Sequence, residues 1–169
     1  HLYPIIEFYR IQLWDIGGQD KSFTMAKIFS RDSLGCIVVS DSKNLKTLED
    51  TLNWKNIVSE EAEFLDGGKI PFILVQNKID LIEGREDFNK IENDTKKMSE
   101  EKDFDKYFMT SVKMNINVEE SMAYLIEKII EKLEEYASNG NIVFNDQKIK
   151  NTIKIDNNNE EKKANTRCC

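Results

Sequence analysis

PFILVQNKID, residues 71–80, is a continuous apolar run of strand length that stops in an Asn-Lys-x-Asp signature. A strand without polar alternation suits a position buried on both faces of a parallel sheet, where helices cover it above and below. The polar residues that end it then fall at the carboxyl edge of the sheet, where open α/β folds place their ligands. Immediately before it, Asp66-Gly67-Gly68 reads as a turn.

The same grammar repeats on both sides. Upstream, GCIVVSD (35–41) is another apolar run, also expected to be buried on both faces. Between the two runs, Leu48, Leu52, Ile57, Val58 and Ala62 recur at roughly helical spacing over 45–64, with Trp54 expected to anchor that helix to the sheet. Downstream, a polar helix is expected over 88–101, a short strand in KYFMTS (106–111) and the strongest helix over 118–136. Met122, Leu125, Ile126, Ile129, Ile130 and Leu133 form one stripe of that last helix, read as core. Glu119 and Glu120 in its first turn favour the helix dipole. Near the start, IEFYRIQLWDI (6–16) mixes β-branched and aromatic residues with polar ones, the pattern of a strand with one exposed side. A Gly-Gly pair and an irregular helix over 21–32 follow it. Strand and helix alternate, which predicts an α/β domain with a mostly parallel sheet flanked by helices.

Composition bounds the reading. The 169 residues suffice for one domain with a proper core, and apolar residues make up 40% of them, ordinary for a globular protein. A net charge of −7 argues against nucleic acid as a partner, since such binders show a basic face. It does not exclude a small nucleotide, whose phosphates are held by backbone N–H groups and one or two cations. No run of eighteen apolar residues exists, and the opening HLYPIIEF lacks the marks of a secretory signal. Three cysteines make no disulfide framework, a cytosolic pattern in which the sequon at Asn93 is read as chance. Cys36 sits in an apolar run and is read as core rather than reactive, because such surroundings raise a thiol pKa. His1 is read as idle and Lys96 to Asp105 as a solvated face. Beyond Asn139 the composition turns to Asn, Lys, Asp and Glu, which predicts a disordered tail.

Each strand-like run ends in a short polar signature. Asp15-Ile16-Gly17-Gly18-Gln19 closes the first. An aspartate there can hold a magnesium ion, directly or through water, and a glycine can bring its bare N–H against a phosphate oxygen. A glutamine beside it can orient a water for in-line attack. Asn77-Lys78-Ile79-Asp80 closes the central run: the carboxylate can accept from guanine N1–H and its exocyclic amine, a pairing adenine does not offer. The lysine stem can lie along the base plane, and the asparagine can tie the loop to its neighbours. Thr110-Ser111-Val112-Lys113 closes the last, where the Val112 N–H could reach guanine O6 and Ser111 could brace the aspartate loop. Alone, each motif is also compatible with a plain polar loop or turn.

In this order, each closing a strand, the motifs resemble the signature of the Ras superfamily. RIQLWDIGGQD (10–20) looks like the Rab segment running from the third strand into the second switch, and WKN (54–56) and NINVEES (115–121) are close to what Rabs show. The match covers roughly Tyr9 to Ala137. It implies a three-layer, P-loop-type α/β fold, GTP and GDP binding with magnesium, and a switch in vesicle traffic. By resemblance Asp15 is the magnesium-side aspartate, acting through water, Gly18 the γ-phosphate sensor and Gln19 the water-positioning catalytic residue. Asn77, Lys78 and Asp80 read the base, with Ser111, Val112 and Lys113 behind them. Gly17 replaces the commoner alanine of Rabs, which bears on the hydrolysis rate, and Asp20 replaces glutamate.

The terminal Cys168 and Cys169 then read as a double geranylgeranylation site, since two lipid chains anchor stably where one binds marginally. The expected division is a GTPase domain over 1–137 and a tail over 138–169 ending in lipid. Family partners follow from the resemblance: effectors, an exchange factor, a GTPase activator, an escort protein and a dissociation inhibitor. So does a place on the cytoplasmic face of intracellular membranes, cycling with the cytosol, with a lean toward lysosome-related organelles.

None of the seven glycines forms the GxxxxGK[ST] phosphate loop that precedes these motifs in the superfamily. The chain is therefore expected to be an N-terminally truncated Rab, lacking the first strand, phosphate loop, first helix and first switch. As a fragment it is expected to bind GTP poorly. The competing expectation is a degenerate Rab-like adaptor or gene fragment without a nucleotide cycle. An ATP-using α/β enzyme fails on Asn-Lys-x-Asp, which selects guanine.

Overall fold

The computed structural model describes residues 9–18 and 23–141. Three strands, β1 (Cys36–Asp41), β2 (Phe72–Asn77) and β3 (Lys106–Met109), form a parallel sheet in the order β1-β2-β3. Among the described residues four α-helices accompany it: α2 (Lys46–Glu61), α3 (Phe88–Glu101) and α4 (Val118–Tyr136) pack on the sheet, and α1 (Phe23–Ser30) packs on α2. The expected spans of α3 and α4 match the observed ones, because the polar face of α3 and the apolar stripe of α4 each hold one period from end to end.

β2 is the centre of the construction. Its residues alternate between two cores, which is why it reads as unbroken apolar sequence. Phe72 and Leu74 face α2, packing with Val38, Leu48, Val58, Ala62, Phe64, Ile70 and Phe104. Ile73 and Val75 face α4, packing with Phe108 and Leu125. Burying each large aliphatic side chain of this kind contributes about 1.5–3 kcal/mol. A third cluster of Ile79, Ile82, Ile91 and Met109 lies just beyond the strand ends and seats the loop after β2 on α3. Trp54 packs against the first core from α2, as its position suggested.

Three expectations need correction. The strand over 6–16 is not found in its described part: residues 9–16 take part in no ladder, since the sheet's partners among the described residues are β1, β2 and β3 alone. A strand exists only through a neighbour's backbone groups, and here the side chains stand outward, with Trp14 54% exposed. Next, β1 is not buried on both faces. Val38 and Ser40 are buried, but Val39 is 57% exposed: among the described residues β1 lies at the edge of the sheet, and α4 covers its second face only near Ile37. Finally, the α4 stripe is core only in part: Leu125 is buried, while Met122, Ile126, Ile129, Ile130 and Leu133 are half-buried. A three-stranded sheet is too narrow to cover the whole stripe. Where α4 does press on the chain it comes close, and a Cβ on Gly35 would meet Ile129 Cδ1 at 2.8 Å. The expected tail is not irregular from its first residue: Ala137–Asn141 form a π-helical turn that continues α4, while residues 142–169 and His1 lie outside the described residues.

Candidate functional site

Parallel strands bring all their carboxyl ends to one edge, so the polar residues that terminate them become neighbours. Asp41 ends β1 directly beside Asn77, which ends β2, and Gln76 pairs with Met109 at the end of β3. From that edge two loops rise, 77–84 and 110–117.

The first loop turns sharply at Lys78, whose backbone is left-handed (φ 66°). It continues into a short 3-10 turn, Ile79–Leu81, anchored by the buried Ile79. This carries Asp80 back over the sheet edge. The second loop is closed on itself: Ser111 N–H donates to Ile116 O at 3.1 Å and Ile116 N–H returns to Ser111 O at 2.9 Å. Asn115 and Asn117 supply the left-handed residues that this closure requires (φ 54° and 53°), a conformation Asn tolerates better than most residues. The Asn117 side chain then donates to Met109 O at 2.7 Å and ties the start of α4 to the end of β3.

The two loops lock together. Asn77 Oδ1 accepts from Thr110 Oγ1 at 3.2 Å and from the Val112 N–H at 3.3 Å. The Ile79 N–H donates to Thr110 O at 3.1 Å. Ser111 Oγ donates to Asp80 Oδ1 at 2.6 Å while itself accepting from the Met114 N–H at 3.2 Å. The ammonium of Lys113 stands 3.9 Å from the other oxygen, Asp80 Oδ2. Asp80 is thus held from both sides yet keeps lone pairs to spare, since a carboxylate offers about four acceptor positions. The bracing by Ser111 and the tying by Asn77 have the form the sequence suggested.

Between the loops lies a recess of about 280 Å³, lined by Asn77, Lys78, Asp80, Leu81, Val112 and Lys113. Five of the expected site residues therefore meet in one cavity, and Ser111 stands behind it. The cavity offers a carboxylate edge, an apolar wall from Leu81 and Val112, and the stem of Lys78. A flat heterocycle with two adjacent N–H donors suits that combination.

Asp15 and Gly18 do not join the recess. They belong to the irregular segment 9–18, which leans on α1 through a stack of Trp14 on Phe29, with ring centroids 4.5 Å apart. Among the described residues nothing lies within 4 Å of where a Cβ on Gly18 would stand. Gln19, Cys168 and Cys169 lie outside the described residues. Among the described residues no three Asp, Glu, His or Cys side chains gather to hold a metal ion. The carboxylate present fits magnesium only in the mode where nucleotide phosphates and water supply most ligands.

Two residues of the site went unread in the sequence. Asp41 forms an ion pair with Lys78, Nζ to Oδ2 at 2.6 Å. Its signal was available: it is the polar residue closing an apolar strand, as Asn77 does. Asn117 carried only the general cue that Asn accepts a left-handed backbone.

Cys36, expected to be inert, has its thiol pushed up to about 12 by burial. The charge run after Lys96 is a solvated face, with Lys96 and Lys97 paired to Glu100 and Glu101 one turn on.

Comparison with known proteins adds the following. The family model described as Ras family matches residues 6–131. Ras-related protein Rab-32 of Homo sapiens is 30% identical over 160 residues, spanning 95% of this chain and 67% of that protein. Ras-related protein Rab-32A of Dictyostelium discoideum is 32% identical over 122 residues, 72% of this chain and 55% of that protein. Ras-related protein Rab-7L1 of Homo sapiens is 33% identical over 124 residues, 73% of this chain and 59% of that protein. The aligned part of the chain thus spans between 55% and 67% of the length of these relatives.

Proposed function

Because the chain belongs to the Ras family, in its Rab branch, we propose that it is the guanine-reading part of a GTP/GDP switch. The observation that carries this is the recess between the loops after β2 and β3, with the Asp80 carboxylate braced by Ser111. Asp80 accepts from N1–H and the exocyclic amine of guanine. Adenine has neither an N1–H nor a 2-amine, so neither bond to the carboxylate would form and its N1 lone pair would face the negative oxygens, a large penalty. The Val112 N–H, now on a long bond to Asn77, turns to the base carbonyl, and Lys78 covers the ring with its stem. Asn77 holds the two loops at a fixed separation, and Lys113 balances the charge of Asp80.

At the phosphate end the roles follow the family. Asp15 would hold magnesium through water, Gly18 would meet the γ-phosphate with its N–H, and Gln19 would orient the attacking water. Magnesium, bound with the nucleotide, would supply charge against the phosphate oxygens. Among the described residues no helix is long and apolar enough to cross a membrane. Attachment is assigned to Cys168 and Cys169, each carrying a geranylgeranyl chain at the end of the 138–169 tail, with 1–137 as the folded domain. The protein then works on the cytoplasmic face of intracellular membranes in vesicle traffic, through effectors and regulators of the Rab type.

Calorimetric titration of the full-length protein with GDP and ADP in the presence of magnesium tests the base reading. GDP is expected to bind on the order of a thousandfold or more tighter, as for sites built to pair a donor their competitor lacks. Equal affinities, or binding of neither, would overturn it.

A further inference from the structure

We propose that Asp41 is a positioning residue of the base recess, holding Lys78 in place before a base arrives; this rests on the guanine reading above. Asp41 does not line the recess, so any effect it has passes through Lys78, which does. The left-handed backbone at Lys78 sends its side chain back toward the end of β1, where Nζ donates to Asp41 Oδ2 at 2.6 Å. The carboxylate is fixed in turn. Its other oxygen accepts from the Lys43 N–H at 2.8 Å, and the Asp41 N–H donates to Thr47 Oγ1 at 2.8 Å. The start of α2 therefore sets where the lysine head can rest.

The pair is a poor candidate for a structural strut. The Lys78 side chain is 53% exposed and that of Asp41 26%, and ion pairs in such positions contribute little to folding. What the pair does is geometric. A lysine has four rotatable bonds, and covering a base would order all of them at the moment of binding. With the head pinned at Asp41, the stem already lies along the recess wall, and less freedom is lost when the base enters.

The experiment follows release of a fluorescent GDP analogue from the full-length protein. Asp41→Asn keeps an acceptor for the Lys43 N–H and removes only the charge that holds the ammonium. It is expected to speed release about two- to fivefold, the range of a partly exposed ion pair. In a Lys78→Met background the same change is expected to do nothing further, because its route has gone. Wild-type release rates in Asp41→Asn overturn the proposal. So does an effect that persists undiminished in the Lys78→Met background, which would mark Asp41 as merely structural. A wild-type protein that fails to bind the analogue overturns the guanine reading itself, and this proposal with it. If Asp41→Asn loses its folded circular dichroism signal, Asp41→Ser, which also keeps an acceptor, is read by the same criteria.

Discussion

Replacing Ser111 with alanine removes one oxygen atom and with it the brace on Asp80. The hydroxyl is fully buried, donates to Asp80 Oδ1 at 2.6 Å and accepts from the Met114 N–H at 3.2 Å. The 2.6 Å separation is that of a hydrogen bond to a charged acceptor, a class worth about 1.5–3 kcal/mol. Two features decide how much is lost. The Asp80 side chain is 11% exposed, so water replaces the hydroxyl poorly, and Lys113, 3.9 Å away and 75% exposed, compensates little. Met114, by contrast, lies at the surface, and its N–H finds water at small cost. In the empty recess the freed carboxylate can turn toward solvent; with guanine bound it cannot. Most of the loss therefore falls on binding, about 1.5–2 kcal/mol, or roughly ten- to thirtyfold in GDP affinity. About 1 kcal/mol falls on folding. Fluorescence titration with GDP and urea denaturation separate the two. A GDP affinity within about twofold of wild type, in a protein that stays folded, would show that Ser111 does not brace the base-reading carboxylate.

Three other outcomes are expected. Asn117→Ala loses the 2.7 Å bond to Met109 O and places alanine at φ 53°, costing about 2 kcal/mol of stability by urea denaturation; an unchanged midpoint would mean the loop does not need that tie. Burial raises the Asp41 carboxyl, but the Lys78 ammonium and the Lys43 N–H outweigh it and hold it below its ordinary 3.8. A depressed folded value means a contribution present above the unfolded pKa and lost as pH falls through the folded one. The small stability advantage of wild type over Asp41→Asn in thermal melts should therefore fade below about pH 4, and an advantage that grew as the pH fell would deny the pairing. The half-buried Cys36, its thiol pushed up to about 12, should resist iodoacetamide at pH 8 in the native protein and react once unfolded; rapid native labelling of its tryptic peptide would refute that upward shift.

What the sequence made legible was whatever local period and punctuation control. β2 and β3 announced themselves as apolar runs ending in polar loops, and α3 and α4 kept one face throughout. The recess was legible for the same reason: parallel strands of similar direction must end together, so Asn77 and Thr110 had to be neighbours. The failures lie where a residue's state depends on something far away. Val39 looks as apolar as Val75, yet one stands at a sheet edge and the other between two layers of helices. Residues 9–16 carry a strand-like pattern, and only the presence of a partner ladder could have made them a strand. Lys78, expected along a base plane, does line the recess, but its bond to Asp41 spans 37 residues and leaves no mark in either local segment.

Exchanging Asp80 for asparagine tests the base-reading recess most directly. The amide keeps the shape and presents an N–H where the carboxylate accepted, so it fits a base with a carbonyl at position 2, as in xanthine, in place of guanine's amine. Competition of xanthosine and guanosine diphosphates against a fluorescent nucleotide reads the outcome in the full-length protein. The expected result is a reversal: guanosine diphosphate falls by on the order of a hundredfold or more, and xanthosine diphosphate becomes the preferred ligand. Undiminished guanosine diphosphate binding in a folded Asp80→Asn protein would contradict the assignment of this recess to guanine.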